Sequence, residues 1–322
     1  MKSLSIIIPT YNGLDLLKKL LPSIFSFIPE PQTSDLIIVD DGSRDGTENY
    51  LRNHFPQVKV VSLEKNKGFG TACNTGVSKA NHDLILILNN DVLIKSDFLS
   101  KGLRSFNGEN STDQKLFAVS CKVLKGDGKL LYQGRTEAFF RRGEIVITLL
   151  EDKRGETFYA SGVMMIFRKE IFLELGGFDD LYHPFYWEDV DLCYRALKRG
   201  YKILYEPENW IYHKDQTTTV FSKRGRVALF FAKMRARIIQ ERNQYLFTWK
   251  NVLDGGLIFR HILWIPIHLL LSFRNKDHIF KSIGFLFALM RLKKALEKRK
   301  KEKGKIYPLK DRQILSVITK EY

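Results

Sequence analysis

Glu188, Asp189 and Asp191 place three carboxylates in the first turn of a helix that the pattern predicts from Trp187 to Arg199, with Gly200 as its C-terminal glycine. A carboxylate so placed can take a proton from an attacking hydroxyl. Crowding like charges raises at least one pKa, which suits a base working near neutral pH. Acids at a helix N-terminus also complement the helix dipole, at about 0.3–1 kcal/mol each. That accounts for one or two of them, and not for His183, Phe185, Tyr186 and Trp187 running directly into them. A second acidic group stands at Asn89-Asn90-Asp91, closing the apolar run Leu84–Leu88. A carboxylate with oxygen-donor neighbours at the end of a buried strand suits Mg²⁺ or Mn²⁺, which in turn grips a diphosphate. Asp40-Asp41 follows Leu36–Val39 in the same way. Turn chemistry is the alternative for either loop alone, because Asp and Asn bond their own backbone, and it fits Asn89–Asp91 less well because that loop closes a continuous apolar run.

Alternating elements would bring these groups together. Leu4–Ile8 is a β-branched run closed by Pro9 and Asn12-Gly13, and Leu14, Leu17, Leu20 and Leu21 follow at helical spacing. Leu36–Val39, Val58–Leu63 and Leu84–Leu88 read as further strands, with helices expected from Asp45 to about Asn53 and over Gly68–Ala80. Asp45 and Glu48 have the spacing of a capping box. Short continuous apolar strands alternating with helices predict an α/β fold whose mostly parallel sheet is covered on both faces. Ligands of such sheets bind beyond the carboxyl ends of the strands. Here those ends carry the polar loops Pro9–Asn12, Asp40–Ser43, Glu64–Gly68 and Asn89–Asp91, which are expected to converge on one edge. Residues 116–215 look more β-like and irregular, with Gly-rich turns at 126–128 and 142–143.

The chain has 322 residues, 44% of them apolar, ample for a buried core. Cys73, Cys121 and Cys193 lie far apart with no CxxC, which excludes a disulfide scaffold and a zinc module and suits a reducing cytosol. The first residues enter a short apolar run closed by Pro9, unlike a signal peptide. The net charge of +16 is unevenly placed: residues 1–219 hold 28 Lys+Arg against 29 Asp+Glu, a net of −1, and residues 220–322 hold 24 against 7, a net of +17. A neutral body thus carries a segment fit for an anionic surface. Within it, Leu257–Phe273 is interrupted by Arg260, His261, Pro266 and His268 and falls short of the roughly 20 apolar residues that span a bilayer. Ile279–Met290 is shorter still and runs into the basic stretch Lys293–Lys305. Apolar helices with Trp and Phe beside a polybasic flank describe helices lying in a membrane interface. A helical subdomain packed on the body, with a solvated basic face, is the alternative. Nucleic acid is not expected, since no recognised motif accompanies the charge.

The polar loops, in order, resemble the family 2 glycosyltransferases with their GT-A fold. The likeness is carried by Ser5–Asn12, Ile38–Ser43 with Asp45–Thr47, Asn66–Gly70 with Asn74–Gly76, and Leu88–Asp91. It continues through Ser161-Gly162, Gly176–Asp179, Tyr186–Leu192 and His213, covering residues 3 to 215. The Trp-Glu-Asp-Val-Asp-Leu form and the basic, apolar tail look most like rhamnosyltransferase-type members that build bacterial surface polysaccharides. The resemblance implies a catalytic domain over 1–219, with a nucleotide-sugar half to about 115 and an acceptor half from 116, followed by a basic helical extension over 220–322. It implies that Pro9, Thr10, Tyr11, Asn12 and Asp41 contact the base and ribose, with Asn66, Gly68 and Asn90 beside them. Asp91 would be the metal ligand of the family's DxD motif, whose first acid is here Asn89, and His213 would face the diphosphate or metal. Asp189 would be the general base, supported by Glu188 and Asp191, with Ser161, Gly162 and Trp187 in the acceptor or sugar pocket. The aromatic run before the acids suits stacking on a sugar face.

The implied reaction is inverting transfer from a nucleoside-diphosphate sugar, dTDP-rhamnose being one candidate, to a glycan or lipid-linked acceptor. The cofactor would be Mg²⁺ or Mn²⁺, at the inner face of a cytoplasmic membrane. A nucleotidyltransferase on a related fold and a non-catalytic sugar-nucleotide-binding protein are the rival readings. Gly68–Cys73 begins like a dinucleotide fingerprint but ends in Cys and follows no first strand.

Overall fold

The computed structural model describes residues 3–27, 34–94, 98–106, 114–125, 130–213, 226–272 and 276–315. The Gly-rich turn at 126–128 lies outside them. Strands β1 (Leu4–Thr10), β2 (Ser34–Asp40), β3 (Lys59–Ser62) and β4 (Leu84–Leu88) run parallel in the order β3-β2-β1-β4. Later come β5 (Val92–Leu93), β6 (Leu116–Lys125), β7 (Leu130–Gln133), the separate hairpin β8 (Thr136–Arg141) and β9 (Glu144–Leu149), then β10 (Gly155–Glu156), β11 (Met164–Arg168) and β12 (Lys202–His213). All but the hairpin join one 10-stranded sheet. β11 runs antiparallel between β4 and β6, and β12 is parallel to β6. β1–β4, β6 and β12 therefore point the same way, and their carboxyl ends share one edge.

The helices are α1 (Leu14–Phe27), α2 (Thr47–His54), α3 (Phe69–Lys79), α4 (Phe98–Leu103), α5 (Lys169–Glu174) and α6 (Glu188–Lys198), then α7 (Arg226–Asn251), α8 (Gly255–Leu271), α9 (Lys276–Leu289), α10 (Leu292–Lys303) and α11 (Asp311–Ile314). The expected capping box does not form. The Asp45 carboxylate accepts from Leu14 N (3.0 Å) and Thr47 N (3.2 Å), and Glu48 pairs with Arg52, so α2 starts through left-handed Gly46 instead. Gly200 does close α6, with φ 80° and its N–H on Leu197 O (2.9 Å).

Alternation along the strands divides the core. Ile6 and Ile8 face Leu17, Leu20 and Leu99 from α1 and α4, while Ile7 faces Ala72, Val77, Leu192 and Ala196 from α3 and α6. A third cluster joins Ala138, Phe140, Leu181, Tyr182 and Tyr194 to Leu246, Phe247, Leu257, Ala288 and Leu315. The basic C-terminal helices thus share a core with the acid-bearing part of the body. Among the described residues no helix is long and apolar enough to cross a membrane.

Candidate active site

The strand-end loops interlock at the shared edge. Asp41 N donates to Thr10 O and Leu63 N to Asp40 O, both at 2.8 Å. Asn12 donates its N–H to Ser43 Oγ (2.7 Å) and accepts the Arg44 N–H (2.8 Å) on its side chain. The buried Asp41 carboxylate accepts from the amides of Lys67 (2.7 Å) and Gly68 (2.8 Å), so it fastens the 65–68 loop. Burial raises its pKa, and those two bonds oppose the rise. Gly68 holds φ 86°, and a Cβ there would lie 2.6 Å from His183 Nδ1, so only glycine lets the loop pass so close. Asn90 donates to Thr10 Oγ1 (2.8 Å). Pro9 and Thr10 are buried, whereas Tyr11 and Asn66 face solvent.

Pairing of β5 with β12 sets His213 opposite Val92. It brings His213 Nε2 within 3.1 Å of Asp91 Oδ1, both side chains buried. Among the described residues no group of three or more His, Cys, Asp or Glu could hold a metal. One carboxylate and one imidazole fit a cation that keeps waters and takes its remaining ligands from substrate phosphates, as Mg²⁺ and Mn²⁺ do.

The acids enter on a strained turn. Tyr186 and Trp187 are consecutive left-handed non-glycine residues, φ 72° and 75°, a conformation that costs about 1–3 kcal/mol at each. Asp189, first turn of α6, accepts from Gly162 N (2.9 Å) and Val190 N (2.8 Å). Burial raises its pKa against those bonds. The buried Glu188 carboxyl is pushed well above its usual range by burial and then by the Asp189 charge. Asp191 differs. It is fully buried and accepts from Tyr182 Oη (2.7 Å), Arg195 Nε (2.8 Å), Lys250 Nζ (2.6 Å) and Asn251 Nδ2 (2.7 Å). Against the upward push of burial, Lys250 and then Arg195 hold it below the ordinary carboxylate range. Its oxygens tie α6 to α7 and leave none for a substrate.

Of the expected pocket residues, Gly162 touches Asp189, and Ser161 Oγ accepts from Val163 N (3.2 Å) to shape the turn. The Trp187 ring packs on Phe247, centroids 5.1 Å apart, toward the C-terminal helices. Asn89 N donates to Val163 O (2.9 Å), so the loop bearing Asp91 is joined to the turn bearing Asp189 through Gly162-Val163. A small recess lined by Lys67, Gly68, Thr71, His183 and Glu188 lies between the strand-end loops and the acids. Sequence reasoning missed Arg242, Asn243, Lys250 and Arg291, which bond the acid turn from the C-terminal helices. The one signal available was polar Arg242-Asn243-Gln244 directly preceding the apolar Tyr245-Leu246-Phe247.

With this geometry in place, the family description "Glycosyl transferase family 2" matches residues 5–176, more than half of the chain. The chain belongs to glycosyl transferase family 2, and its fold is of the GT-A type. A pre-mycofactocin glycosyltransferase of Mycobacterium tuberculosis is 24% identical over 267 residues, 81% of this chain and 52% of that protein. A poly-beta-1,6-N-acetyl-D-glucosamine synthase of Staphylococcus aureus is 24% identical over 214 residues, 64% of this chain and 48% of that one. The chain spans about half the length of these curated relatives. A mannosyltransferase from Pyrobaculum calidifontis, solved with GDP-Man and Mn²⁺, superposes with a TM-score of 0.53 at 14% identity, covering 92% of this chain and 84% of that one. The likeness shows a shared fold.

Proposed function

We propose that the chain is an inverting glycosyltransferase that moves a sugar from a nucleoside-diphosphate donor to a hydroxyl of a glycan or lipid-linked acceptor in surface polysaccharide synthesis. The observation that supports this best is the link from Asp189 through Gly162-Val163 and Asn89 to Asp91 and His213. It sets a proton acceptor and a diphosphate-side pair at the same sheet edge. The strand-end loops bind the nucleotide through Tyr11, Asn66 and the backbone around Gly68. The acceptor oxygen attacks the anomeric carbon as the bond to the diphosphate breaks, through an oxocarbenium-like state. Asp189 takes the hydroxyl proton, for which its raised pKa suits it. Glu188, pushed well above its usual range by burial and by the Asp189 charge, resists ionising beside it. Asp91 and His213 would hold a divalent cation, which supplies charge stabilisation for the leaving diphosphate when bound.

Residues 1–219 carry both substrate sites in this reading, and the helices beyond 220 carry the protein to an anionic membrane face. Supporting that, α8 turns His261 and His268 inward onto the carbonyls of Gly143 (2.6 Å) and Arg142 (3.0 Å), while Phe259, Ile262, Leu263 and Leu270 point to solvent. An apolar stripe facing out beside basic residues matches a helix lying in a lipid interface. The acceptor would then be lipid-linked and reached at the inner leaflet.

The test is a thermal-shift screen of nucleotide sugars, dTDP-rhamnose among them, with and without Mg²⁺ or Mn²⁺, followed by product analysis. A donor that raises the unfolding midpoint by mass action, and free nucleoside diphosphate on turnover with an acceptor, are expected. Pyrophosphate as product would make the chain a nucleotidyltransferase. Donor binding without turnover would make it a binding protein.

A further inference from the structure

We infer that Asn243, on the helix α7 beyond the family-matched region, is a positioning residue for the base, holding the turn that aims Asp189. The inference rests on the reading of Asp189 as the base. Asn243 is fully buried. Its Nδ2 lies 3.0, 2.9 and 2.8 Å from the carbonyl oxygens of Tyr182, Phe185 and Tyr186. Two N–H groups are thus shared among three acceptors, all in the segment that turns through left-handed Tyr186 and Trp187 into Glu188-Asp189. The amide is itself fixed, because Arg242 Nε donates to Asn243 Oδ1 (2.9 Å) while Arg242 Nη2 reaches His183 O (2.6 Å). From a different helix turn, Arg291 donates to Leu181 O (2.9 Å) and His183 O (3.1 Å). Phe185 and Tyr186 lie in no strand or helix, so in a buried setting their carbonyls need donors from elsewhere. A strained turn persists only where its surroundings over-determine it, and here the surroundings are supplied by α7 and Arg291. A base displaced by about 1 Å loses much of its effect, because proton transfer requires hydrogen-bond reach. The C-terminal helices are in this way part of the active site, not only a carrier for it.

The experiment uses the full chain with Asn243→Asp and Asn243→Ala. Asparagine and aspartate are nearly the same shape, so Asn243→Asp removes the N–H donation without opening a cavity. Turnover in Asn243→Asp should fall tenfold or more with donor affinity, read by thermal shift, within threefold of the parent. In an Asp189→Asn background the same substitution should cost under threefold more, since both act on one group. Tyr186→Gly, which takes positive φ freely, should restore part of the turnover lost in Asn243→Ala. Near-parental turnover in Asn243→Asp would overturn the inference, leaving Asn243 as packing alone. So would a full multiplicative loss in the Asp189→Asn background, or no gain from Tyr186→Gly. Should Asn243→Asp fail to fold, Arg291→Met removes the donor to Leu181 O and His183 O in the same segment and should show the same split between turnover and donor affinity. If Asp189→Asn itself keeps normal turnover, the assignment of the base fails, and the Asn243 variants alone then report whether the turn matters for transfer.

Discussion

The two halves of the site are built by different means. The proposed nucleotide edge is made where β1 to β4 end, and its bonds join neighbouring strand ends: Asn12 to Ser43, Asp41 to Gly68, Thr10 to Asp41. A parallel sheet places such loops side by side once its strands are in register, so little else is needed. The acid turn has no such scaffold. Its carbonyls and its Asp191 are held from α7 and Arg291, contacts 57 to 110 residues away along the chain. One half follows from topology, the other from remote side chains, and the second should be the more easily broken from a distance.

The largest expected effect separates two acids that lie two residues apart. Asp189→Asn should leave donor affinity within a few fold and cut turnover by about 10²–10⁴, the scale of general-base loss. If turnover survives there and is lost in Glu188→Gln instead, the base is the neighbouring acid. Asp191→Ala should act on stability, because it leaves Lys250 and Arg195 buried without their shared anion. Breaking a buried pair costs about 3–5 kcal/mol. A chemical-denaturation midpoint unchanged in Asp191→Ala would show that the network is not holding α6 to α7.

The same contrast explains what was legible in the sequence. The strands, the convergence of their loops and the span of α6 could be read because continuous apolar runs and glycine stops record local geometry. The antiparallel insertion of β11 between β4 and β6 could not, since Met164–Phe167 is apolar on both faces like its parallel neighbours. The Asp45–Glu48 spacing misled because Leu14 N, at the start of α1, captured the Asp45 carboxylate. Asp191 looked like a third active acid for the same reason: its partners Lys250 and Asn251 are some sixty positions away, where no local pattern points to them.

A smaller effect is expected from Glu188, and it depends on pH. Its folded pKa is raised, so the folded chain keeps a proton that the unfolded chain releases. The associated stability is fully present below the ordinary glutamate range and is lost as pH rises toward the raised value, by up to about 1.4 kcal/mol per pH unit. Glutamine does not titrate. The midpoint of Glu188→Gln should therefore match the parent below the ordinary glutamate range and exceed it increasingly as pH rises above that range. Parallel curves for the two proteins would show that the Glu188 carboxyl is ionised in the fold.

The smallest effect concerns the outward face of the C-terminal helices. Because α7 to α11 complete the third core cluster, removing them near residue 220 would expose Tyr182, Val190 and Tyr194 and damage the body, so the surface has to be tested by point substitution in the full chain. Phe259 and Leu263 lie one turn apart and are more than half exposed, and replacing either by serine costs the fold little. If the α8 stripe enters a lipid interface, each side chain there contributes through apolar area that salt does not screen. Full burial of such a side chain is worth about 1.5–3 kcal/mol, so partial burial predicts roughly a tenfold loss of vesicle affinity per substitution. Replacing the exposed Lys300 and Lys301 by glutamine should weaken capture on anionic vesicles at low salt, at roughly 1 kcal/mol per charge, and matter little at high salt. A chain that ignores anionic vesicles at low salt, or whose capture is unchanged by Phe259→Ser and Leu263→Ser, has its apolar stripe turned toward some other partner, and the acceptor then comes to the site without a bilayer beside it.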